Sequence, residues 1–152
     1  VLGVGATLVL MQQFHDFYNE GYTALRLSDI TSIRSGEYER HWEQMLIAER
    51  LIDAVGIEIA PPIGNFHELL TAIASRPQNV IVECESTLTA DDDEFYIGRT
   101  IRIDGNVLVF HNFDALGKWS SDFDEIELSS ISKIQFDTPY INIFSKYVTD
   151  SD

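Results

Sequence analysis

The acidic run Asp91-Asp92-Asp93-Glu94 is the densest group of side chains in this sequence that could do chemistry. Clustered carboxylates can bind a cation, and with a histidine such as His111 they could act as the acid and base of a hydrolase. A calcium loop needs the order Asp-x-Asp-x-Asp-Gly, which the run lacks. The run therefore favours a solvated loop, and its negative charge makes it a candidate site for binding a partner.

The other reactive side chains form no catalytic or metal-binding pattern. The sequence has four histidines and one cysteine, without His-x-x-x-His, Glu-x-x-His or paired-cysteine spacing. Cys84 and His111 each fall in register with apolar residues of a predicted strand, so we expect both to be buried structural residues. No serine lies in a Gly-x-Ser-x-Gly turn. We therefore expect no catalytic residue, no metal and no cofactor, and a protein that is not an enzyme.

Aromatic side chains supply a second candidate surface. The last predicted helix carries Tyr140, Phe144 and Tyr147, spaced so that they can share a face. Aromatic residues are enriched at the centres of protein interfaces, although most belong to the core of their own domain. This helix face is therefore a candidate partner-binding patch.

The charge balance excludes some classes of partner. Aspartate and glutamate number 25 against 10 lysines and arginines, which gives a formal charge of −15. Such a surface repels the phosphates of nucleic acids and the headgroups of anionic membranes. A basic protein is the complementary partner. With one cysteine, no intramolecular disulfide is possible, and this favours a reducing, cytoplasmic setting.

The elements that would position these residues are clearest in the second half. The patterns predict a helix after the cap Asn65, strands at 80–85, 95–103 and 107–113, two short strands within 126–136, and a helix after Thr138-Pro139. Alternation in the second of these strands places four residues on one side: Phe95, Ile97, Ile101 and Ile103. The turn Asp104-Gly105-Asn106 predicts a hairpin after that strand.

The first half repeats part of this order. Residues 8–10 correspond to 108–110, and residues 25–33 correspond to 126–134, with the same spacing of apolar positions. Tyr38 and Trp42 then correspond to Tyr140 and Phe144. A duplicated module explains this order, and the alternative is that any strand–turn–strand–helix unit has the same pattern.

The predicted organisation follows from that repeat. We predict a first, N-terminally incomplete module with a C-terminal helix at 1–56, a linker at 57–64, and a second module at 65–152 with a helix, five strands and a C-terminal helix. The first copy lacks counterparts of two strands. Either the chain is part of a longer protein, or the first copy pairs with the second copy or with another chain.

Part of the second module resembles the Sm-like and SH3-like small β-barrels. The stretch Gly98-Arg-Thr-Ile-Arg-Ile-Asp104-Gly-Asn106 is similar to the first Sm motif, and residues 128–134 lie where the second motif would be. The resemblance covers residues 65–136 and implies small, bent β-barrel modules, here in tandem, within a mostly β, α+β fold. The RNA-binding Arg-Gly pair of that family is replaced by Ser129-Ser130, so the resemblance does not imply RNA binding.

These observations lead to two expectations about function. The preferred one is a non-enzymatic binding or scaffolding module that forms homo-oligomers through barrel edges, because open barrels leave strand edges unpaired. The alternative is an acidic inhibitor or immunity-type protein that masks a basic partner. The stretch from Gly117 to Tyr140 is also similar to uncharacterised bacterial proteins, and this second resemblance implies no function.

Overall fold

The computed structural model describes residues 1–76, 78–85 and 94–149. In chain order the strands and helices are β1 (Gly3–Val4), β2 (Leu8–His15), β3 (Tyr18–Arg26), α1 (Glu37–Ala48), α2 (Phe66–Ala74), β4 (Val80–Cys84), β5 (Glu94–Asp104), β6 (Val107–Asn112), β7 (Asp124–Glu127), β8 (Lys133–Phe136) and α3 (Pro139–Phe144). Short 3₁₀ turns lie at Leu27–Asp29, Leu51–Ala54 and Ser145–Tyr147. The fold is mostly β, as predicted, and the predicted strands and helices of the second half are confirmed.

Within the described ranges the strands form one antiparallel sheet in the order β1-β2-β3-β8-β4-β5-β6-β7. Strand β8 lies between β3 and β4, so it joins the first half of the chain to the second. The outermost strands, β1 and β7, do not pair with each other, and the sheet is open. The predicted small, bent barrel modules are therefore not confirmed.

One face of the sheet carries the larger hydrophobic core. Helix α2 covers this face, and it begins where the side chain of Asn65 accepts a hydrogen bond of 2.9 Å from the Glu68 amide. Leu69 and Leu70 of the helix are fully buried, and burying each contributes about 1.5–3 kcal/mol. Residues from both halves share this core: Leu8, Leu10, Ala24, Phe66, Ile73, Val80, Val82, Leu108, Phe110, Ile126, Ile131 and Ile134.

A smaller core lies on the opposite face under α3. Because side chains alternate along a strand, Ile81 points away from Val80 and Val82 and into this second cluster. Helix α3 is capped by Thr138, whose hydroxyl oxygen accepts a hydrogen bond of 3.0 Å from the Ile141 amide. The cap thus directs Ile141 onto the sheet, where it is 1 % exposed.

The side-chain pattern predicted for β5 is wrong, because the strand contains a β-bulge. The pairing with β6 slips between Thr100 and Arg102, so Ile101 is an extra residue without a partner on β6. The extra residue reverses the alternation beyond it. Ile97 packs in the smaller core, Ile103 packs against the larger one, and Ile101 is 38 % exposed.

The predicted division into two modules and a linker stays a prediction. Its two units contribute strands to the same sheet and residues to the same core. Residues 57–64 run along that core, with Ile57 and Ile63 packed against it and the Thr7 amide donating to the Gly64 carbonyl. In the part of the chain that the structure describes, no helix is long and apolar enough to cross a membrane.

Candidate partner-binding surfaces

The predicted acidic run lies mostly outside the described residues. Asp91, Asp92 and Asp93 are not among the described residues, whereas Glu94 is the first residue of β5. Glu94 accepts a hydrogen bond of 2.9 Å from the Tyr96 hydroxyl. Burial of the Tyr96 ring, together with this hydrogen bond, raises the pKa of the phenol well above its usual range, so it stays a donor at physiological pH. Glu94 is exposed and accepts this hydrogen bond within its own strand, and its role in binding a partner stays a prediction.

The three predicted aromatic residues have different environments. Tyr140 and Tyr147 are 53 % and 73 % exposed. Phe144 is half-buried in the smaller core, where its ring stacks on Phe113 at a centroid distance of 5.4 Å. Phe144 therefore anchors α3 to the sheet, and the two tyrosines are the members of this set that are available to a partner.

Tyr140 forms one wall of a groove on the sheet face opposite α2. We call it the sheet groove; its volume is about 610 Å³, and it is lined by Gln13, Phe14, His15, Glu20, Ile81, Phe95, Gln135, Thr138 and Tyr140. Phe95 is 57 % exposed and, like Tyr140, presents an aromatic ring to solvent. The sequence pattern grouped Phe95 with core residues and missed this site. Pairing of β8 between β3 and β4 brings these distant positions together.

A ladder of polar side chains crosses the sheet beside the groove. Gln13 accepts hydrogen bonds from the Thr23 hydroxyl at 2.7 Å and from the Gln135 amide at 3.4 Å. Next to it, the Lys133 ammonium lies 2.6 Å from a Glu83 carboxylate oxygen, with both side chains largely buried. These contacts fix the polar side chains of this face in place, and preorganised side chains bind a partner with a smaller loss of entropy.

The two edges of the sheet differ in composition and length. Strand β7 carries Asp124, Glu125 and Glu127 among its four residues, and the Asn106 amide donates to Glu127 at 3.0 Å. Strand β1 at the other edge has two residues. Charged and very short edge strands discourage pairing with another strand. A second acidic chain would meet repulsion at β7, whereas a basic segment would not.

The sequence pattern predicted that His111 is buried in the core. In the structure it is only half-buried, against aromatic rings. Its ring stacks on Trp119 at a centroid distance of 4.6 Å, and Phe123 meets it edge-on at 4.9 Å. The Nε2 atom is 2.9 Å from the Ser120 carbonyl oxygen. Among the residues that the structure describes, no three histidine, cysteine or acidic side chains are grouped so that they could bind a metal ion.

Cys84 is buried on the larger core, as predicted, with 6 % exposure. Burial raises the pKa of the thiol, although the Ser130 hydroxyl, 3.8 Å from the sulfur, acts in the opposite direction. Because the thiolate is the reactive form, both low access and the raised pKa make this cysteine unreactive.

We therefore expect Cys84 to react with a disulfide reagent such as DTNB at least about 100-fold more slowly in the folded protein than in the protein unfolded by urea. Stopped-flow absorbance at neutral pH measures the two rates. A short unstructured peptide containing one cysteine is the control for the effect of urea on the reagent. Equal rates in the folded and unfolded protein would contradict the burial and reopen a nucleophilic role.

Comparisons with known proteins were negative. No family model, no curated protein and no solved structure matches the chain. The resemblance to Sm-like and SH3-like barrels thus remains a prediction from motifs.

Proposed function

We propose that the protein is a non-enzymatic binding module whose partner is a basic protein. The observation that carries the proposal is the pair of aromatic rings, Phe95 and Tyr140, each more than half exposed and lining one groove. Exposed aromatic side chains in a concave site are typical anchors for a protein partner, because each buries a large area at a small cost in entropy.

The charge of the chain supports a basic partner over a neutral or acidic one. The formal charge is −15, and several of the cations are engaged within the chain. Arg34 pairs with Glu39, Arg102 with Asp104, and Lys133 with Glu83. The excess of carboxylates thus gives the field around the chain a negative sign. Such a field accelerates the approach of a cationic protein and gives binding a strong salt dependence.

Self-association through sheet edges is the second candidate. The open sheet favours it, since β1 and β7 each have one unpaired side within the described ranges. The short β1 and the acidic β7 argue against it, as does repulsion between two chains of −15 each. We accordingly rank the basic partner first.

We also propose that the fold derives from tandem small, bent barrel-like modules of the Sm-like or SH3-like kind. In the second half, the last strand β8 pairs with the first strand β4, so the ends of a five-stranded unit are adjacent. Both halves contain an antiparallel pair followed by a tight turn, β2–β3 and β6–β7. They differ afterwards, because 133–136 is a strand and its counterpart 32–35 is not.

A labelled peptide of alternating arginine and leucine tests the binding function. We expect it to bind at about 50 mM salt and to weaken at least about tenfold at about 300 mM, since salt screens exposed charges. The double substitution Phe95→Ala, Tyr140→Ala should weaken it by at least about tenfold. Fluorescence anisotropy gives both affinities.

The control is Tyr147→Ala, which removes a more exposed tyrosine of the same C-terminal segment that does not line the sheet groove. It should leave the affinity within about twofold. The proposal fails if the Phe95, Tyr140 variant binds as well as the parent protein. It fails equally if a peptide with glutamate in place of arginine binds with the same affinity.

A further inference from the structure

A second groove lies on the other side of the β2–β3 turn, against α1. We call it the helix groove; its volume is about 430 Å³, and it is lined by Phe17, Met45, Ala48, Glu49 and Leu51. Its lining is mostly apolar, whereas the sheet groove is mixed. The β2–β3 turn separates the two sites, with His15 lining one and Phe17 lining the other.

The groove continues along α1 as an aromatic stripe. The Phe17 ring stacks on Trp42 at a centroid distance of 4.9 Å with the planes 6° apart. Tyr38, Trp42 and Met45 are spaced by four and three residues, so they lie along one side of α1. Tyr38 at the start of this stripe is 82 % exposed. Exposed aromatic side chains beside an apolar groove are typical of a protein-binding site.

Acidic residues flank this apolar stripe in the sequence, and Glu49 lines the groove itself. Residues 37–54, which form α1 and the 3₁₀ turn after it, contain five acids and two arginines, and Asp16 adds a further acid from the β2–β3 turn. Hydrogen bonds from backbone amides, including that of Gly36, and from Arg34 lower the pKa of Glu39, so this carboxylate stays ionised even in mildly acidic solution. The stripe thus offers apolar contact at its centre and negative charge at its rim.

We propose that the helix groove binds an amphipathic, cationic helix of another protein. The apolar face of such a helix fills the groove, and its lysines or arginines meet the acidic rim, as in other helix-in-groove complexes. Helix α1 has 12 residues, so the stripe accommodates about three turns of a partner helix. A second copy of this chain is a poor occupant, because its α1 carries the same excess of acids.

This inference rests on the proposed function only in that the partner is basic. It names a different surface and a helical form of the partner. The probe is therefore a synthetic amphipathic peptide of leucine and lysine, about 18 residues long. Its binding is followed by the anisotropy of a label on the peptide and by the gain in helical circular dichroism on mixing.

The decisive variant is Ala48→Arg, which places bulk and positive charge in the groove. Ala48 is exposed, so the substitution should not disturb folding. We expect it to weaken the peptide by at least about tenfold. Ile47→Arg is the matched control, since Ile47 is exposed on the same helix but does not line the groove. The control adds the same charge and should change the affinity by no more than about twofold.

Each outcome separates this inference from the proposed function. The Phe95→Ala, Tyr140→Ala variant should bind the leucine–lysine peptide as the parent protein does, even if it no longer binds the peptide of alternating arginine and leucine. Equal binding by the Ala48→Arg and Ile47→Arg variants would overturn the helix groove and leave the sheet groove standing. A dimer in sedimentation velocity that Ala48→Arg dissociates would also overturn the inference, because a second copy would then be the occupant.

Discussion

Replacing Gly98 with alanine should destabilise the protein by about 3 kcal/mol or more. A Cβ atom at this position would lie 1.9 Å from the carbonyl oxygen of His111 and 2.9 Å from the Cα of Asn112. Both neighbours are backbone atoms of β6, and β5 is held on its other side by β4. The strands cannot separate without losing ladder hydrogen bonds, so the strain is not relieved by a side-chain rotation. Urea denaturation followed by circular dichroism measures the loss.

Gly105→Ala is the control for this prediction. Gly105 lies in the β5–β6 turn with φ of +62°, and a Cβ atom there would have no neighbour within 4 Å. Its replacement should therefore cost only the backbone strain of a left-handed residue, about 1 kcal/mol. A Gly98→Ala variant as stable as the Gly105→Ala variant would contradict the close approach of β5 and β6.

Substituting Arg26 with methionine should destabilise the protein by about 2–4 kcal/mol. Its guanidinium donates to the carbonyl oxygens of Ile131 at 2.7 Å, Leu128 at 2.6 Å and Ser129 at 3.1 Å. It also lies over the Phe66 ring of α2, 5.0 Å from the centroid. Methionine keeps the aliphatic contact but leaves these carbonyls without their donor. Thermal and urea unfolding should both show the loss.

This arginine joins the first half of the chain to the turn between β7 and β8. Lysine should recover only part of the stability, because a single ammonium cannot reproduce the planar set of donors. Arg102→Met is the matched control. Arg102 pairs with Asp104 on the surface, with both side chains more than half exposed, so its loss should change stability by less than about 0.5 kcal/mol. Equal effects at the two arginines would show that the carbonyl contacts contribute little.

Several elements could be predicted because their signals are local. Asn65 and Thr138 cap helices α2 and α3, as the sequence indicated. In each case the side-chain oxygen accepts a hydrogen bond from the backbone amide three residues later. The alternation at 80–84 correctly predicted that Cys84 shares the buried face with Val80 and Val82. Each of these signals lies within a few residues of the feature that it specifies.

The grooves could not be predicted, because their walls come from distant parts of the chain. Phe95 of β5 and Tyr140 of α3 line one groove because the strand order places β8 between β3 and β4. The bulge at Ile101 is likewise decided by the pairing of β5 with β6, and nothing in the alternation of β5 signals it. The sequence did offer one clue to the grooves. Phe14, Phe17 and Tyr18 lie around the β2–β3 turn, and Phe14 lines the sheet groove whereas Phe17 lines the helix groove.

The amino-acid sequence alone determined the mostly β class, the strands and helices of the second half, and the excess of negative charge. These properties depend on composition and on contacts between near neighbours in the chain. Tertiary structure decided which faces of β5 are buried, which aromatic rings stay exposed and where the two grooves lie. Those features depend on strand order and register. Strand order and register are determined by many weak contacts between residues far apart in the chain, which no local sequence pattern specifies.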